Sequence, residues 1–178
     1  MDMSEIVPDD KDWTWTLERP CPDCGFDPTT VDGPDIASLV TAYTTPWTDV
    51  LARPDVAARP NPSTWSPLEY ACHVRDVCDL FADRVQLMLD EDGARFANWD
   101  QDVTAVESAY AAQPPVVVAS EIPVAAARLS AAYAGVSGSQ WERRGVRSNG
   151  SEFTVLTLGR YGLHDLRHHV WDVGASVD

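Results

Sequence analysis

Apolar residues recur at three- and four-residue spacings along much of the chain, a pattern that predicts amphipathic helices. The first periodic segment spans 34–52, and Pro46 is expected to bend or split that helix. The second begins at 66–69 (Ser-Pro-Leu-Glu), a capping box with proline at the first helical position, and runs to about Asp90. These signals predict two helices joined by a proline-containing loop.

The second half of the chain contains two more long helical patterns and a turn-rich connection. An alanine-rich helix is predicted over 116–136, with an interruption at Pro123 and a shorter helix over 99–112 before it. The segment 141–152 contains Asn-Gly and predicts a hairpin-like connection. A last helix is predicted over 154–173. Four main helices with loops between them predict an all-α fold, a four-helix bundle.

Residues 1–33 lack helical periodicity and carry turn-forming and aromatic residues instead. They include Trp13, Trp15 and the loop 21–25 (Cys-Pro-Asp-Cys-Gly). This stretch is too short to form a core of its own. We expect residues 1–33 to be an irregular N-terminal extension that packs its tryptophans on a bundle formed by residues 34–178.

Composition and net charge indicate the expected location of the protein and its expected classes of partner. The 178 residues, 44% of them hydrophobic, suit one globular domain. A net charge of -15 repels phosphate backbones and anionic lipids, so nucleic acid and membranes are not expected partners. No apolar run reaches the roughly 18–20 residues of a membrane helix, and the acidic start differs from a signal peptide. We predict a cytoplasmic protein.

The candidate chemistry lies in the histidines. On a helix, positions four apart lie about 40° apart, so His164 and His168 share one face of the last helix. His73 lies on the apolar stripe of the helix that begins at residue 67. Buried imidazoles are costly without partners, and one metal ion would satisfy all three. Three histidines leave a coordination position open, as in catalytic zinc sites.

Several of these motifs also carry a family resemblance. They are Trp65-Ser66-Pro67-Leu68-Glu69 with His73, Asn149-Gly150, Phe153-Thr154, Tyr161, and His164-Asp165-x-x-His168-His169. From about Asp35 to Val173 the chain resembles the DinB-like superfamily of four-helix metalloproteins. That superfamily includes mycothiol-dependent maleylpyruvate isomerases and low-molecular-weight thiol S-transferases. The N-terminal stretch lies outside the common pattern and is similar to leaders of actinobacterial members.

The resemblance implies one divalent ion, zinc or nickel, on His73, His164 and His168, with water in the open position. It also implies a metal-dependent thiol S-transferase of the mycothiol type, or a related enzyme. A small-molecule thiol and a small electrophile are then the partners. The alternative hypothesis is a non-catalytic, metal-stabilised stress or sensor bundle. Homodimerisation through a helix face is left open by the sequence.

Other residues near the histidines have two interpretations each. Glu69 either caps its helix or orients a metal-bound water. Tyr161, with Trp171 and Trp47, is expected to line a pocket at the open end of the bundle. Asp165 lies about 100° from the predicted ligand face, where a solvated helix surface is favoured over a carboxylate that supports a ligand. His169 is assigned to the surface or to a supporting role.

Cysteines and arginines are the other candidates for binding chemistry. Cys21 and Cys24 match half of a zinc ribbon, but no second Cys-x-x-Cys completes it, so a loop held by proline and glycine is favoured. Cys72, next to His73, is interpreted as a buried apolar thiol. The arginines at 84, 143, 144 and 147 could bind a carboxylate of a thiol or substrate, although surface salt bridges are the simpler interpretation.

Overall fold

The computed structural model describes residues 6–9 and 11–177. In chain order its helices and strands are α1 (Ile36–Thr44), α2 (Trp47–Leu51), α3 (Pro67–Asp90), β1 (Ala94–Phe96), α4 (Gln101–Glu107), α5 (Pro115–Ala134), β2 (Arg144–Arg147), β3 (Glu152–Thr154) and α6 (Val155–Asp172). Short 3-10 turns lie at Thr14–Leu17, Pro28–Thr30, Gly33–Asp35, Tyr110–Ala112 and Gly138–Glu142.

Four helical segments make the bundle: α1 with its continuation α2, then α3, α5 and α6. Both α1 and α3 pack against α5 and α6, so each helix has two neighbours around a shared core. The core is built from the apolar stripes of these helices, among them Ile36, Val40, Leu68, Val77, Ile122, Leu129, Leu158 and Leu166. The predicted all-α four-helix bundle is confirmed.

Two local predictions for the first half of the chain, the break at Pro46 and the capping box at Ser66, agree with the structure. Pro46 separates α1 from α2, as expected from its missing N–H. At the start of α3, Ser66 Oγ accepts from the Glu69 N–H at 3.2 Å and the Glu69 carboxylate accepts from the Ser66 N–H at 2.8 Å. This reciprocal capping box fixes the first turn of the helix that carries His73.

Helix α5 differs from its prediction because Pro123 lies inside it without ending it. Packing of Ile122, Ala125 and Ala126 against neighbouring helices compensates for the lost backbone hydrogen bond. By length and composition alone, α5 is the one helix of the described residues that could cross a membrane. It packs on α1 and α3 in the bundle, and a cytoplasmic location stays a prediction.

A small sheet lies beside the helices. The predicted hairpin is present as β2 and β3, paired antiparallel with Gly145 opposite Phe153. Strand β1, which the sequence analysis missed, pairs parallel with β2 and sets Phe96 opposite Arg147. Three-residue strands carry too little alternation to be recognised in a sequence. The helix expected over 99–112 is shorter, with α4 followed by a 3-10 turn.

Helix α6 is seated closely between α1 and α3. A Cβ added at Gly159 would lie 2.5 Å from Ile36 Cδ1, and one added at Gly162 would lie 2.8 Å from Phe81 Cδ1. A side chain at either position would clash with a neighbouring helix, so both positions require glycine. This close approach fixes the rotation of α6 about its own axis, which decides where its polar residues point.

The capping carboxylate gives a test of stability against pH. Burial by itself raises the pKa of Glu69, but hydrogen bonds from Arg59 and Ser66 outweigh it and hold this pKa below its usual value. We expect Glu69→Gln to lower the free energy of unfolding at pH 7 by about 1.5–3 kcal/mol, the range of charged hydrogen bonds. The stabilisation is complete above the unfolded-state pKa of about 4.3 and is lost as pH falls through the lower folded-state pKa.

Urea unfolding at pH 7 and at successively lower pH would measure the difference between wild type and variant. Glu121→Gln is the control, because Glu121 also pairs with an arginine but is about half exposed, and its loss should cost less than about 1 kcal/mol. A gap between wild type and Glu69→Gln that stays constant down to pH 3 would contradict this account.

Candidate metal centres

Helix α6 presents two pairs of polar residues on adjoining faces. Asp165 and His169 point toward α3, the same side as Tyr161, which packs on Phe81. His164 and His168 point toward the N-terminal segment and contact Trp13. Each pair has the i, i+4 spacing that places two side chains one turn apart. The rotation of α6 therefore creates two separate sites.

The first group is His73, Asp165 and His169. Nε2 of His73 and Nε2 of His169 both lie 3.2 Å from Oδ1 of Asp165. The His73 side chain is fully buried, while those of Asp165 and His169 remain 23% and 15% exposed. The group therefore opens to solvent on the α6 side. We call it the inner site.

Aromatic rings surround the inner site. The His73 ring stacks parallel on Trp99 with 5.1 Å between centroids and also contacts Trp65. Tyr70 packs on His169 with centroids 4.9 Å apart. These rings keep water away from His73 and hold the imidazoles in one orientation.

The charges of the inner site are strongly coupled. Burial opposes ionisation of Asp165, but the charge of His73 and the hydrogen bond from His169 lower the pKa of this carboxyl well below its usual range. Burial likewise works against the charged form of His169, yet its contacts with Asp165 and Asp172 raise its pKa to about 10. Nδ1 of His169 lies 2.7 Å from Asp172 Oδ2. Asp172 thus orients the ring from behind, as carboxylates do for metal-binding histidines.

The donor atoms of the inner site fit a divalent ion. Ligand atoms around a tetrahedral zinc ion lie about 3.3 Å apart when the bonds are about 2.0–2.1 Å, and the 3.2 Å separations match this. Two histidines and a carboxylate are the donor set of catalytic zinc in thermolysin-type enzymes, which keep a position open. Nδ1 of His73 has no hydrogen-bond partner among the described residues, so Nε2 is the nitrogen aimed at the group.

The second group is Cys21, Cys24, His164 and His168, and we call it the outer site. One donor atom from each residue lies within 4.8 Å of the other three. Cys21 Sγ is 3.7 Å from His168 Nδ1, and His168 Nε2 faces Asp172 at 3.8 Å. Nε2 of His164 is buried without a hydrogen-bond partner among the described residues.

Burial governs the protonation of the outer site. It lowers the pKa of His164 to about 4 and that of His168 below its usual value, so both imidazoles are neutral at pH 7. It raises the pKa of the Cys24 thiol to about 11. Neutral imidazoles and a protonated Cys24 thiol are the forms expected before an ion displaces the thiol proton.

The structure divides the predicted metal trio between the two sites. His73 joins Asp165 and His169, whereas His164 and His168 join the two cysteines. Asp165 and His169, assigned to the helix surface or to a supporting role, lie in the inner site because α6 turns that face toward α3. Metal binding by any of these residues stays a prediction.

The remaining predicted site residues lie apart from the donor atoms. The Glu69 carboxylate is engaged by Arg59 and Ser66, the contacts of a capping residue. Trp47 is only 1% exposed in the core, so it cannot line an open pocket. Trp171 is half exposed and packs on His168. Tyr161, one turn before Asp165, packs on Phe81 and Phe153, and burial raises the pKa of its hydroxyl.

Two of the candidate arginines are buried rather than on the surface. Arg84 and Arg147 are 5% and 9% exposed, and no carboxylate of the described residues lies within ion-pair distance of either guanidinium. Arg147 Nη1 donates to the Tyr161 hydroxyl at 3.4 Å. Burial and the charge of Arg147 lower the pKa of Arg84 to about 10. Arg147 also lines a cavity of about 430 Å³ next to Arg95 and Ser148.

Sequence reasoning missed both completed sites for identifiable reasons. Asp165 and His169 have the same four-residue spacing as His164 and His168, so periodicity could not rank the two pairs. Cys-x2-Cys and His-x3-His together match the spacing of a Cys2His2 zinc site. The two pairs are separated by most of the chain, so the sequence does not show that they meet.

Comparisons with known proteins agree with this fold. In overall structure the chain is similar to YfiT from Bacillus subtilis, described as a probable metal-dependent hydrolase with an unusual four-helix bundle topology. The TM-score is 0.70 at 14% sequence identity, over 81% of this chain and 89% of YfiT. No curated protein matches the sequence significantly.

The sequence itself matches the family model of the DinB superfamily over residues 37–173. This range runs from α1 through the end of α6 and includes every helix of the bundle. It leaves out the N-terminal segment that carries Cys21 and Cys24. Because the match spans most of the chain, the protein belongs to the DinB superfamily.

Proposed function

We propose that this protein is a metal-dependent enzyme whose reaction takes place at the inner site, on a small electrophile that bears a negative charge. A thiol of the mycothiol type, or water, is the attacking group. The observation that carries the proposal is the convergence of His73 and His169 on one oxygen of Asp165. Membership of the superfamily and the likeness to YfiT support metal dependence. Thiol transfer and hydrolysis are the two reactions that we propose for it.

Each residue of the inner site has its own role in the proposed reaction. His73 and His169 would hold a divalent ion through Nε2, and Asp165 would neutralise one of its charges. The ion would supply Lewis-acid chemistry that activates a water or a thiol near neutral pH. Asp172 keeps the His169 ring in place through Nδ1. Trp65 and Trp99 limit solvent on the His73 side, which strengthens the electrostatic interactions within the site.

The arginines suggest the substrate class. Burying two guanidinium groups close together with no carboxylate of the described residues in ion-pair contact is unfavourable, and a carboxylate ligand would relieve that cost. Arg147 lines the cavity and also contacts Tyr161, which lies on α6 one turn before Asp165. A substrate carboxylate bound by Arg147 would thus lie on the same side of α6 as the inner site.

Metal content tests the inner site directly. We expect His73→Ala and Asp165→Asn to bind one zinc ion fewer per chain than wild type after zinc loading, as measured by mass spectrometry of the elements. The control is Asp102→Asn, because the Asp102 carboxylate interacts electrostatically with His73 but is outside the donor group. Equal zinc content in wild type and both ligand variants would contradict the assignment.

Activity separates thiol transfer from hydrolysis. Zinc-loaded protein is offered two electrophiles that carry a carboxylate, 4-chloro-3-nitrobenzoate with mycothiol in one assay and 4-nitrophenyl hydrogen succinate in another, with chelator-treated protein beside it. We expect turnover in at least one assay, reduced at least about 100-fold without metal and in Asp165→Asn. Metal retention without turnover in either assay would favour the metal-stabilised, non-catalytic bundle.

Anion binding is measurable without a known substrate. We expect succinate to raise the melting temperature of wild type, because it binds the folded state only, and to have little effect on Arg147→Gln. Arg144→Gln is the matched control, since Arg144 is exposed and only distantly paired with Asp92. A succinate effect of equal size in all three proteins would count against an anion site at Arg147.

A further inference from the structure

We propose that Cys21, Cys24, His164 and His168 form a second, structural metal site, a closed four-coordinate zinc site that fastens the N-terminal segment to α6. This site is distinct from the inner site and supplies no open position for a substrate. Its ligands come from two parts of the chain that are far apart in sequence, a turn before the bundle and its last helix.

The geometry of the outer site is that of a zinc-binding group. The four donor atoms lie within 4.8 Å of one another, and three of the four residues are buried while the His168 side chain is 13% exposed. The 3.7 Å between Cys21 Sγ and His168 Nδ1 is close to the roughly 3.6 Å expected between sulfur and nitrogen ligands of tetrahedral zinc. Nε2 of His164, on a ring 96% buried, lacks any other partner among the described residues.

The backbone of the cysteine turn is preorganised for two sulfur ligands. The Gly25 N–H donates to the Cys21 carbonyl at 2.9 Å, and the Cys21 N–H donates to the Phe26 carbonyl at 2.9 Å. Gly25 adopts a φ of +71°, which reverses the chain just after the second cysteine. The tight turn brings both sulfurs to the side that faces α6.

The four donor groups of the outer site indicate which metal it binds and that the ion has a structural role. Two thiolates and two imidazoles match zinc in tetrahedral geometry, and sites whose four ligands all come from the protein are structural. The two thiolates neutralise the charge of the ion, so the complex can lie in a buried position. A disulfide between Cys21 and Cys24 is the competing arrangement, but it would leave His164 Nε2 without a partner.

The site explains how an irregular segment is held on the bundle. Other contacts along the same face of α6 act with it: Arg167 Nε donates to the Cys24 carbonyl at 2.9 Å, and Arg160 donates twice to the Val31 carbonyl. Trp13 covers His164 and His168 with ring centroids within 5.6 Å. Beyond Trp13, the Asp9 N–H donates to the Asp102 carboxylate of α4 at 3.2 Å. Removing the ion should therefore loosen this segment while leaving the helices in place.

Cobalt(II) titration of the reduced protein is the decisive experiment, because a thiolate bound to cobalt gives a charge-transfer absorption that nitrogen and oxygen ligands do not give. We expect one equivalent of cobalt to produce this band in wild type. The band should be lost in Cys24→Ala and kept in Cys78→Ala, the matched control, since Cys78 is equally buried but lies in the core of α3. It should also persist in His73→Ala and Asp165→Asn.

Hydrogen–deuterium exchange provides a second readout that does not depend on a variant. We expect backbone amides of residues 13–26 in the wild-type holoprotein to exchange at least about tenfold faster after chelation, with α3 and α5 unchanged. No charge-transfer band in reduced wild type, or a band that survives in Cys24→Ala, would overturn the proposal. A Cys21–Cys24 disulfide that withstands mild reduction would also overturn it.

These outcomes are separate from those of the proposed function. Loss of the outer site leaves the zinc content assigned to His73 and Asp165 testable, and an inactive protein can still show the thiolate band. The two sites therefore fail or succeed independently.

Discussion

The close seating of α6 on α1 and α3 is the constraint on which both candidate sites depend. Gly159 and Gly162 remove the side chains that would otherwise separate the helices, so α6 can take one rotation about its axis. That rotation turns Asp165 and His169 toward His73 and leaves His164 and His168 on the adjoining face. A rotation by one residue, about 100°, would instead turn His164 and His168 toward His73.

Buried polar groups then dictate what must surround α6. Its second face carries two imidazoles that a bare helical bundle would expose or leave unsatisfied, and the N-terminal segment covers them. Desolvation is the dominant influence on both rings, so each needs a partner that does not require the charged form. A thiolate-bound ion provides such a partner. The N-terminal segment is therefore part of the outer site.

The two groups differ in the chemistry that their donors allow. The inner site has nitrogen and oxygen donors, a partly exposed side and a supporting carboxylate, which suits an ion that must bind and release ligands. The outer site has two sulfur donors and is enclosed by Trp13 and Phe26, which suits an ion that stays. One helix can serve both because adjacent i, i+4 pairs point in directions that differ by about 100°.

The sequence by itself determined the helices and their order, because periodicity, the capping box at Ser66 and the break at Pro46 are local properties. It also determined that histidines on α3 and α6 carry the candidate chemistry. Only the tertiary structure decided which residues share a site, since the choice between His164 with His168 and Asp165 with His169 depends on the rotation of α6. That rotation is set by contacts of Gly159 and Gly162 with residues far away in the chain. The pairing of Cys21 and Cys24 with α6 is likewise a long-range contact that no local pattern specifies.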